Sequence, residues 1–189
     1  MKSPAYIAAK TVSYLFIPPM MILYSYLFIY FSLGDLKGWQ LYVPVVFGTI
    51  LPVAVFIILR KKGMVTDNEA MNKEERSFPY LIGAGLLFAG GGLLYYHSIS
   101  GVPYSFWLSY IVCNILIIPI TRYWKISAHS MGTAVPGALL FLFGGPLFFI
   151  SLGITAAVWW SRIYLRCHDV YQLSAGYILG FSITYFVMT

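Results

Sequence analysis

The sequence predicts an all-α protein, built as a polytopic bundle of about six to seven helices that cross a membrane. Of its 189 residues, 60% are hydrophobic and only 10% are charged, and the mean hydropathy is +0.79. A soluble domain of this length could not bury so much apolar surface. The apolar residues also gather in runs of about 20, the length that crosses the hydrocarbon of a bilayer.

These runs define seven predicted spans. They cover residues 11–33, 40–59, 79–96, 104–121, 129–143, 147–160 and 168–187. We expect Pro18 and Pro19 to bend the first span, and the glycines at 90–92 to allow close helix approach in the third. No repeat, linker or second domain interrupts the chain, which predicts one integral membrane domain over residues 1–189.

The parity of seven spans places the N-terminus and three connections, 60–78, 122–128 and 161–168, on one face of the membrane. That face carries nearly all the cations: Lys2, Lys10, Arg60, Lys61, Lys62, Lys73, Arg76, Arg122, Lys125, Arg162 and Arg166. The opposite face carries only Lys37. The positive-inside rule therefore predicts a multi-pass protein of the cell (inner or plasma) membrane with the cationic face in the cytoplasm. The net charge of +6 then reflects loop topology and attraction to anionic membrane lipids, and no nucleic-acid partner is expected.

Polar clusters lie at three membrane entries on this face. The candidate site residues are Lys73 and Arg76, then Ser127, Ala128 and His129, and finally Arg162, His168 and Gln172. Ionisable groups beside hydrocarbon are costly and usually functional. Three such clusters on one face predict a single site assembled from distant parts of the chain.

The residue types suit a phosphate ester. Arg162 can bind two phosphoryl oxygens at once, and Lys73 or Arg76 can add positive charge. Ser127 and the N–H groups at the start of the fifth helix can add donors. The two histidines can supply a nucleophile and a proton for the leaving oxygen, although the residues alone do not say which does which.

The order and spacing of the clusters resemble the type 2 phosphatidic acid phosphatase (PAP2) superfamily of membrane lipid phosphatases. The family pattern has a Lys and an Arg-Pro, then Pro-Ser-Gly-His, then Ser-Arg, five residues, His, three residues and Asp. This chain has a loose Lys73, Arg76 and Pro79 cluster, then Ile126-Ser127-Ala128-His129, then Ser161-Arg162, five residues, His168, three residues and Gln172. The resemblance covers about residues 67–189, and the two N-terminal spans carry no motif.

The resemblance implies metal-independent hydrolysis of the terminal phosphate of a lipid phosphate, such as phosphatidic acid, phosphatidylglycerol phosphate or a polyprenyl (di)phosphate. It implies that His168 attacks phosphorus to form a phosphohistidine, while His129 protonates the leaving group and later activates water. Arg162, Lys73 or Arg76, Ser127 and Ala128 would bind the phosphate. No cofactor or metal is expected, because no carboxylate cluster suited to magnesium accompanies the histidines.

Gln172 is the main departure, because the family has an aspartate there that orients the nucleophilic histidine. If the seventh helix begins at His168, Gln172 lies one turn later and its carbonyl oxygen can accept the imidazole N–H. Asp169 would then project about 100° around the helix from His168. We expect Gln172 to be the orienting group, with Asp169 as the alternative.

Two other functions remain open. The charged loop at 67–76 faintly resembles the diphosphate site of aromatic prenyltransferases, but that site needs a second Asp-rich, magnesium-binding motif, which the sequence lacks. A PAP2-like protein with a degraded site could instead bind or transport lipid without catalysis, and Gln172 favours this reading. The sequence does not indicate an oligomeric state.

Overall fold

The computed structural model describes residues 3–34, 38–66, 75 and 77–189, and its long regular elements are all helices. In chain order these are α1 (Pro4–Leu15), α2 (Pro18–Leu33), α3 (Gly38–Val43), a π-helix (Pro44–Ile50), α4 (Leu51–Lys61), α5 (Ser77–Tyr96), α6 (Gly101–Tyr123), α7 (Ala128–Phe143), α8 (Leu147–Tyr164) and α9 (Val170–Met188). Within the described residues, five helical stretches are long and apolar enough to cross a membrane, or six if α1 and α2 form one bent span. The predicted all-α polytopic bundle is confirmed.

The first span differs from the prediction, which began it at residue 11. Its helix starts at Pro4, capped by the Ser3 side chain, and ends at Leu15. A 60° bend separates α1 from α2, and Ile17 is extended (ψ 151°) because it precedes proline. Pro18 and Pro19 have no N–H with which to continue the helix, so the chain breaks there and restarts.

The second span is one helical stretch from Gly38 to Lys61 whose middle is a π-helix. This segment packs against α2 and α6, since a Cβ on Gly48 would lie 2.7 Å from Ile22 Cγ2 and 3.2 Å from the Trp107 ring. The Thr49 hydroxyl donates to the Pro19 carbonyl at 3.0 Å. A side chain of the π-helix is thus hydrogen-bonded to the first turn of α2.

Helix α7 forms the centre of the bundle, and its residues 130–139 are all buried. It packs most closely against α9, where glycines permit backbone contact. A Cβ on Gly176 would lie 2.5 Å from the Ser127 carbonyl oxygen, and one on Gly180 would lie 2.8 Å from that of Met131. Small residues four apart are a common means of close packing between membrane helices. The contact advances from Ser127 to Met131 as it advances along α9, so α7 and α9 are parallel and begin at the same end of the bundle.

Candidate functional site

The starts of α7 and α9 and the end of α8 meet at one end of the bundle. The backbone N–H of Ser127 donates to the Gln172 carbonyl at 3.2 Å. The Ser130 hydroxyl donates to the Leu173 carbonyl at 2.7 Å and accepts from the Trp159 indole at 2.7 Å. These bonds tie the three helices together where the predicted second and third clusters lie.

The turn that follows α8 places His168 next to the end of that helix. Arg166 adopts a left-handed conformation (φ 55°), and its N–H donates to Ile163 while that of Cys167 donates to Arg162. This is the Schellman arrangement, which reverses the chain and satisfies the last carbonyls of a helix. The His168 N–H also points to the Arg162 carbonyl, at 3.4 Å. The histidine is therefore held against α8, with 8% of its surface exposed.

His168 precedes α9 and is not part of it, so the predicted start of the seventh helix was two residues early. Asp169 is the N-cap, and it does not project around the helix as predicted. Its carboxylate accepts the Gln172 backbone N–H at 2.8 Å, and the Gln172 side chain reaches back to the Asp169 N–H at 3.4 Å. This reciprocal pair is a capping box. Asp169 serves the helix start, not the imidazole.

The Gln172 amide oxygen lies 2.9 Å from His168 Nδ1, which is the contact that the sequence analysis expected of this pair. The same oxygen also faces the Asp169 N–H, which can only donate. The end of the amide that faces His168 is therefore its acceptor end. His168 Nδ1 must then carry a proton, and in the neutral imidazole the lone pair is on Nε2. A neutral amide fixes this tautomer without adding charge.

Arg162 lies in the last turn of α8 and has no exposed surface. Its Nη1 donates to the Ser13 hydroxyl at 2.7 Å. The neighbouring Ser161 hydroxyl donates to the Ala9 carbonyl at 2.7 Å, so α1 packs directly over this end of α8. Because the guanidinium is fully covered in this conformation, a phosphoryl group can reach it only if a side chain or helix that covers it moves.

His129 occupies the first turn of α7, and its Nε2 lies 3.3 Å from the Ser13 carbonyl oxygen. Ser127 is the N-cap of that helix and is fully buried, and its hydroxyl accepts the Ser130 N–H at 3.3 Å. Ala128 is the first helical residue. The N–H groups of such a first turn favour anions, and that of Ala128 belongs to this turn. Those of Ser127 and Ser130 already donate to the Gln172 carbonyl and the Ser127 hydroxyl.

The first predicted cluster, Lys73 and Arg76, lies outside the described residues. Between them, Glu75 is described, and its carboxylate accepts the Thr66 N–H at 2.8 Å and the Thr66 hydroxyl at 2.9 Å. This contact ties residue 75 to the segment that follows α4. Across the part of the chain that the structure describes, no three His, Cys, Asp or Glu side chains gather as metal ligands.

An apolar cleft of about 170 Å³ lies between α2, α7 and α8. Thr133, Pro136 and Leu140 form its α7 wall, and they follow His129 at helical spacing on the same face. The serine and threonine hydroxyls on the walls are bonded within their own helices, as Ser25 donates to Met21 and Thr133 to Ser130. The cleft is therefore mainly apolar, and its nearest wall residue on α7, Thr133, lies one helical turn after His129.

Sequence reasoning missed the contacts of α1 with the site. Ser13 contacts both Arg162 and His129, although the two N-terminal spans carried no motif. One signal was present: a serine stands one helical turn before a double proline, at a helix end where backbone carbonyls lack helical partners. That pattern is too common to identify a site without the fold.

The chain matches no family model, no curated protein and no solved structure. Function therefore has to be inferred from the side chains and their geometry.

Proposed function

We propose that this chain is a metal-independent membrane lipid phosphatase of the PAP2 type. Its substrate is a lipid phosphate such as phosphatidic acid, phosphatidylglycerol phosphate or a polyprenyl (di)phosphate. The observation that carries the proposal is the gathering of Arg162, His129 and the His168–Gln172 pair at one end of the bundle. These are a phosphate-binding cation, a proton carrier and an oriented nucleophile.

The proposed reaction has two displacements at phosphorus. In the first, His168 Nε2 attacks, an N–P bond forms, and the bond between phosphorus and the lipid oxygen breaks as His129 gives that oxygen a proton. In the second, His129 takes a proton from water, whose oxygen attacks the phosphohistidine and releases inorganic phosphate. Arg162 stabilises the charge on the phosphoryl oxygens in both steps.

The hydrogen bonds are compatible with this division between the histidines. His168 donates through Nδ1 to Gln172, which leaves the lone pair on Nε2 for attack. His129 lies against the Ser13 carbonyl through Nε2, so its Nδ1 is the nitrogen that exchanges a proton with the leaving group and with water. Each histidine has one nitrogen that is held and one that reacts.

The cleft along α7 supports a lipid as the substrate. It begins at Thr133, one turn beyond His129, and continues to Leu140. A phosphate ester bound at Arg162 would therefore have an apolar channel beside its leaving group. The chain of a membrane lipid already lies in hydrocarbon, so the cleft would fix its position and add little hydrophobic free energy.

Gln172 favours one competing proposal, a lipid-binding or transport protein that keeps the architecture without turnover. A carboxylate stabilises an imidazolium by its charge, whereas the Gln172 amide supplies only a neutral hydrogen bond. The transferase alternative depends on the charged loop 67–76, of which the structure describes only residue 75.

Release of inorganic phosphate from lipid phosphates in EDTA tests the proposal. Purified protein in mixed micelles is given a panel of phosphatidic acid, phosphatidylglycerol phosphate and polyprenyl diphosphate. A phosphatase releases phosphate with EDTA present, a magnesium-dependent transferase requires the metal, and a lipid carrier binds substrate without release. Absence of release from every substrate would contradict the proposal.

The hydrogen bond from His168 to Gln172 can be tested by changing the amide alone. Gln172→Ala should lower kcat roughly three- to ten-fold, the value of one neutral hydrogen bond. Gln172→Glu has the same reach and should maintain or raise kcat, because a carboxylate stabilises the imidazolium that forms. Glutamate also suits this third position of a capping box, so α9 should remain intact.

Asp169→Asn is the matched control, since asparagine caps a helix as well as aspartate does. It should leave kcat close to that of the wild type. If Asp169→Asn were inactive and Gln172→Ala were fully active, the aspartate would be the partner of His168 in the working enzyme.

The site face is proposed to be cytoplasmic, from the excess of lysine and arginine at that end. Single cysteines treated with a membrane-impermeant maleimide in intact cells test this orientation. Lys62→Cys, on the site side by the parity of the spans, should stay unlabelled until the membrane is permeabilised. Ser100→Cys, exposed at the start of α6, should label at once. The native Cys113 and Cys167 are buried, so unmodified protein gives the background. The reverse labelling pattern would place the site outside the cell.

A further inference from the structure

Ser13 of α1 contacts two of the proposed catalytic residues at once. Its hydroxyl accepts from Arg162 Nη1 at 2.7 Å, and its carbonyl oxygen lies 3.3 Å from His129 Nε2. Its side chain is 1% exposed. Neither Ser13 nor its helix belongs to the motifs on which the proposed function rests.

The proline break explains why the Ser13 carbonyl can serve a histidine. The last four carbonyls of an α-helix lack intrahelical N–H partners. Helix α1 ends at Leu15 because Pro18 and Pro19 follow, so the Ser13 carbonyl is among those four. The break thus provides a buried acceptor where α1 crosses the start of α7.

Helix α1 is fixed in this position one turn before Ser13. Ala9 has no exposed surface, and its carbonyl accepts the Ser161 hydroxyl at 2.7 Å. Residues four apart lie on the same helix face, so Ala9 and Ser13 contact consecutive residues of α8, Ser161 and Arg162. Such a double attachment holds α1 in register with the end of α8.

We propose that Ser13 is a positioning residue of the phosphatase site, an inference that rests on the proposed function. Its hydroxyl fixes the plane of the Arg162 guanidinium. A guanidinium has five N–H donors, so one bond to serine is compatible with others to a phosphoryl group. Its carbonyl holds the proton on His129 Nε2 and so directs Nδ1 to the reacting oxygen. Helix α1 is thereby part of the catalytic apparatus.

The decisive variant is Ser13→Ala, which removes the hydroxyl and keeps the carbonyl. It should lower kcat/KM about ten-fold, as expected for loss of a hydrogen bond to a charged group. Ser13→Thr keeps a hydroxyl and should restore most of that loss. Ser109→Ala is the matched control: its hydroxyl is also fully buried, but it donates to Ser105 within α6, and activity should be unchanged.

A double-mutant cycle distinguishes positioning from a general loss of structure. In an Arg162→Lys background, Ser13→Ala should change kcat/KM by less than about two-fold, because its effect passes through the guanidinium. An equal loss in both backgrounds would overturn the proposal. Higher activity in Ser13→Ala would also overturn it, because α1 would then be a lid that obstructs Arg162.

Two measurements without turnover separate this inference from the proposed function. Inorganic phosphate should raise the unfolding temperature of the wild type more than that of Ser13→Ala, and ¹⁵N NMR of labelled histidine should show His129 protonated at Nε2. If no lipid phosphate is hydrolysed but both results hold, the proposed function fails and the role of Ser13 in organising an anion site stands. If hydrolysis occurs and Ser13→Ala matches the wild type both in kcat/KM and in its stabilisation by phosphate, only the role of Ser13 is lost.

Discussion

His168→Ala should abolish release of phosphate from the best lipid substrate, with a loss of about 10⁴-fold or more. Alanine removes the nitrogen that is proposed to attack phosphorus. The second measurement is trapping: wild-type protein quenched during turnover with ³²P-labelled substrate should carry acid-labile phosphate on His168. The variant should carry none, while still binding lipid, because Arg162 and the apolar cleft remain.

His97→Ala provides the matched control for that loss. His97 lies after α5 at the other end of the bundle, where its ring stacks on Trp39 with centroids 4.1 Å apart. Its removal should leave turnover and trapping unchanged. Phosphate trapped on His129 in the His168→Ala protein would show instead that the two histidines have exchanged roles.

The meeting of α7, α8 and α9 at one end could be predicted because the sequence places polar clusters at the ends of apolar runs. Counting spans assigns those ends to faces without any knowledge of packing. His129, Arg162 and His168 were found in this way. The close packing that joins these helices depends on Gly176, because a side chain there would collide with the Ser127 carbonyl. The sequence shows that a glycine lies in the span, but it does not show which helix packs against it.

The start of α9 was misplaced although the sequence contained the necessary signal. Asp169 followed three residues later by Gln172 is a capping-box pattern, which predicts Asp169 as the N-cap. Hydropathy alone extended the helix back to His168. The contact from Gln172 to His168 was nevertheless expected, on the basis of a one-turn spacing inside the helix. It forms instead because the side chain at the third helical position reaches back over the residues before the helix.

The contacts of Ser13 could not be predicted, because they depend on the 60° angle between α1 and α2. A double proline predicts a break, but the angle is set by what the two helices pack against. The single serine gives no periodic pattern. Polar residues that join a site through tertiary contacts are therefore the ones that this kind of sequence reasoning misses.

Arg162→Ala should lower kcat by about 10²–10³-fold and raise KM, because it removes the charge that is proposed to stabilise the phosphoryl oxygens in the transition state. Arg162→Lys keeps a positive charge but loses the planar, two-point grip, so its kcat should lie between those of the wild type and Arg162→Ala. Steady-state kinetics on the best lipid substrate in EDTA measure both effects. Because the guanidinium is buried and hydrogen-bonded to Ser13, thermal unfolding of each variant must show that the fold persists.

Arg166→Gly is the matched control for Arg162, because it removes an exposed cation just after the same helix end, whereas Arg162 is buried. Glycine adopts the left-handed conformation that Arg166 holds (φ 55°) without the strain of a side chain. The variant should therefore keep full activity and unfold at the same or a higher temperature. Full activity in Arg162→Ala, or an equal loss in Arg166→Gly, would mean that Arg162 serves only to fasten α8 to α1. The positive charge at this end of the bundle would then act on membrane lipid in general, not on one bound phosphate.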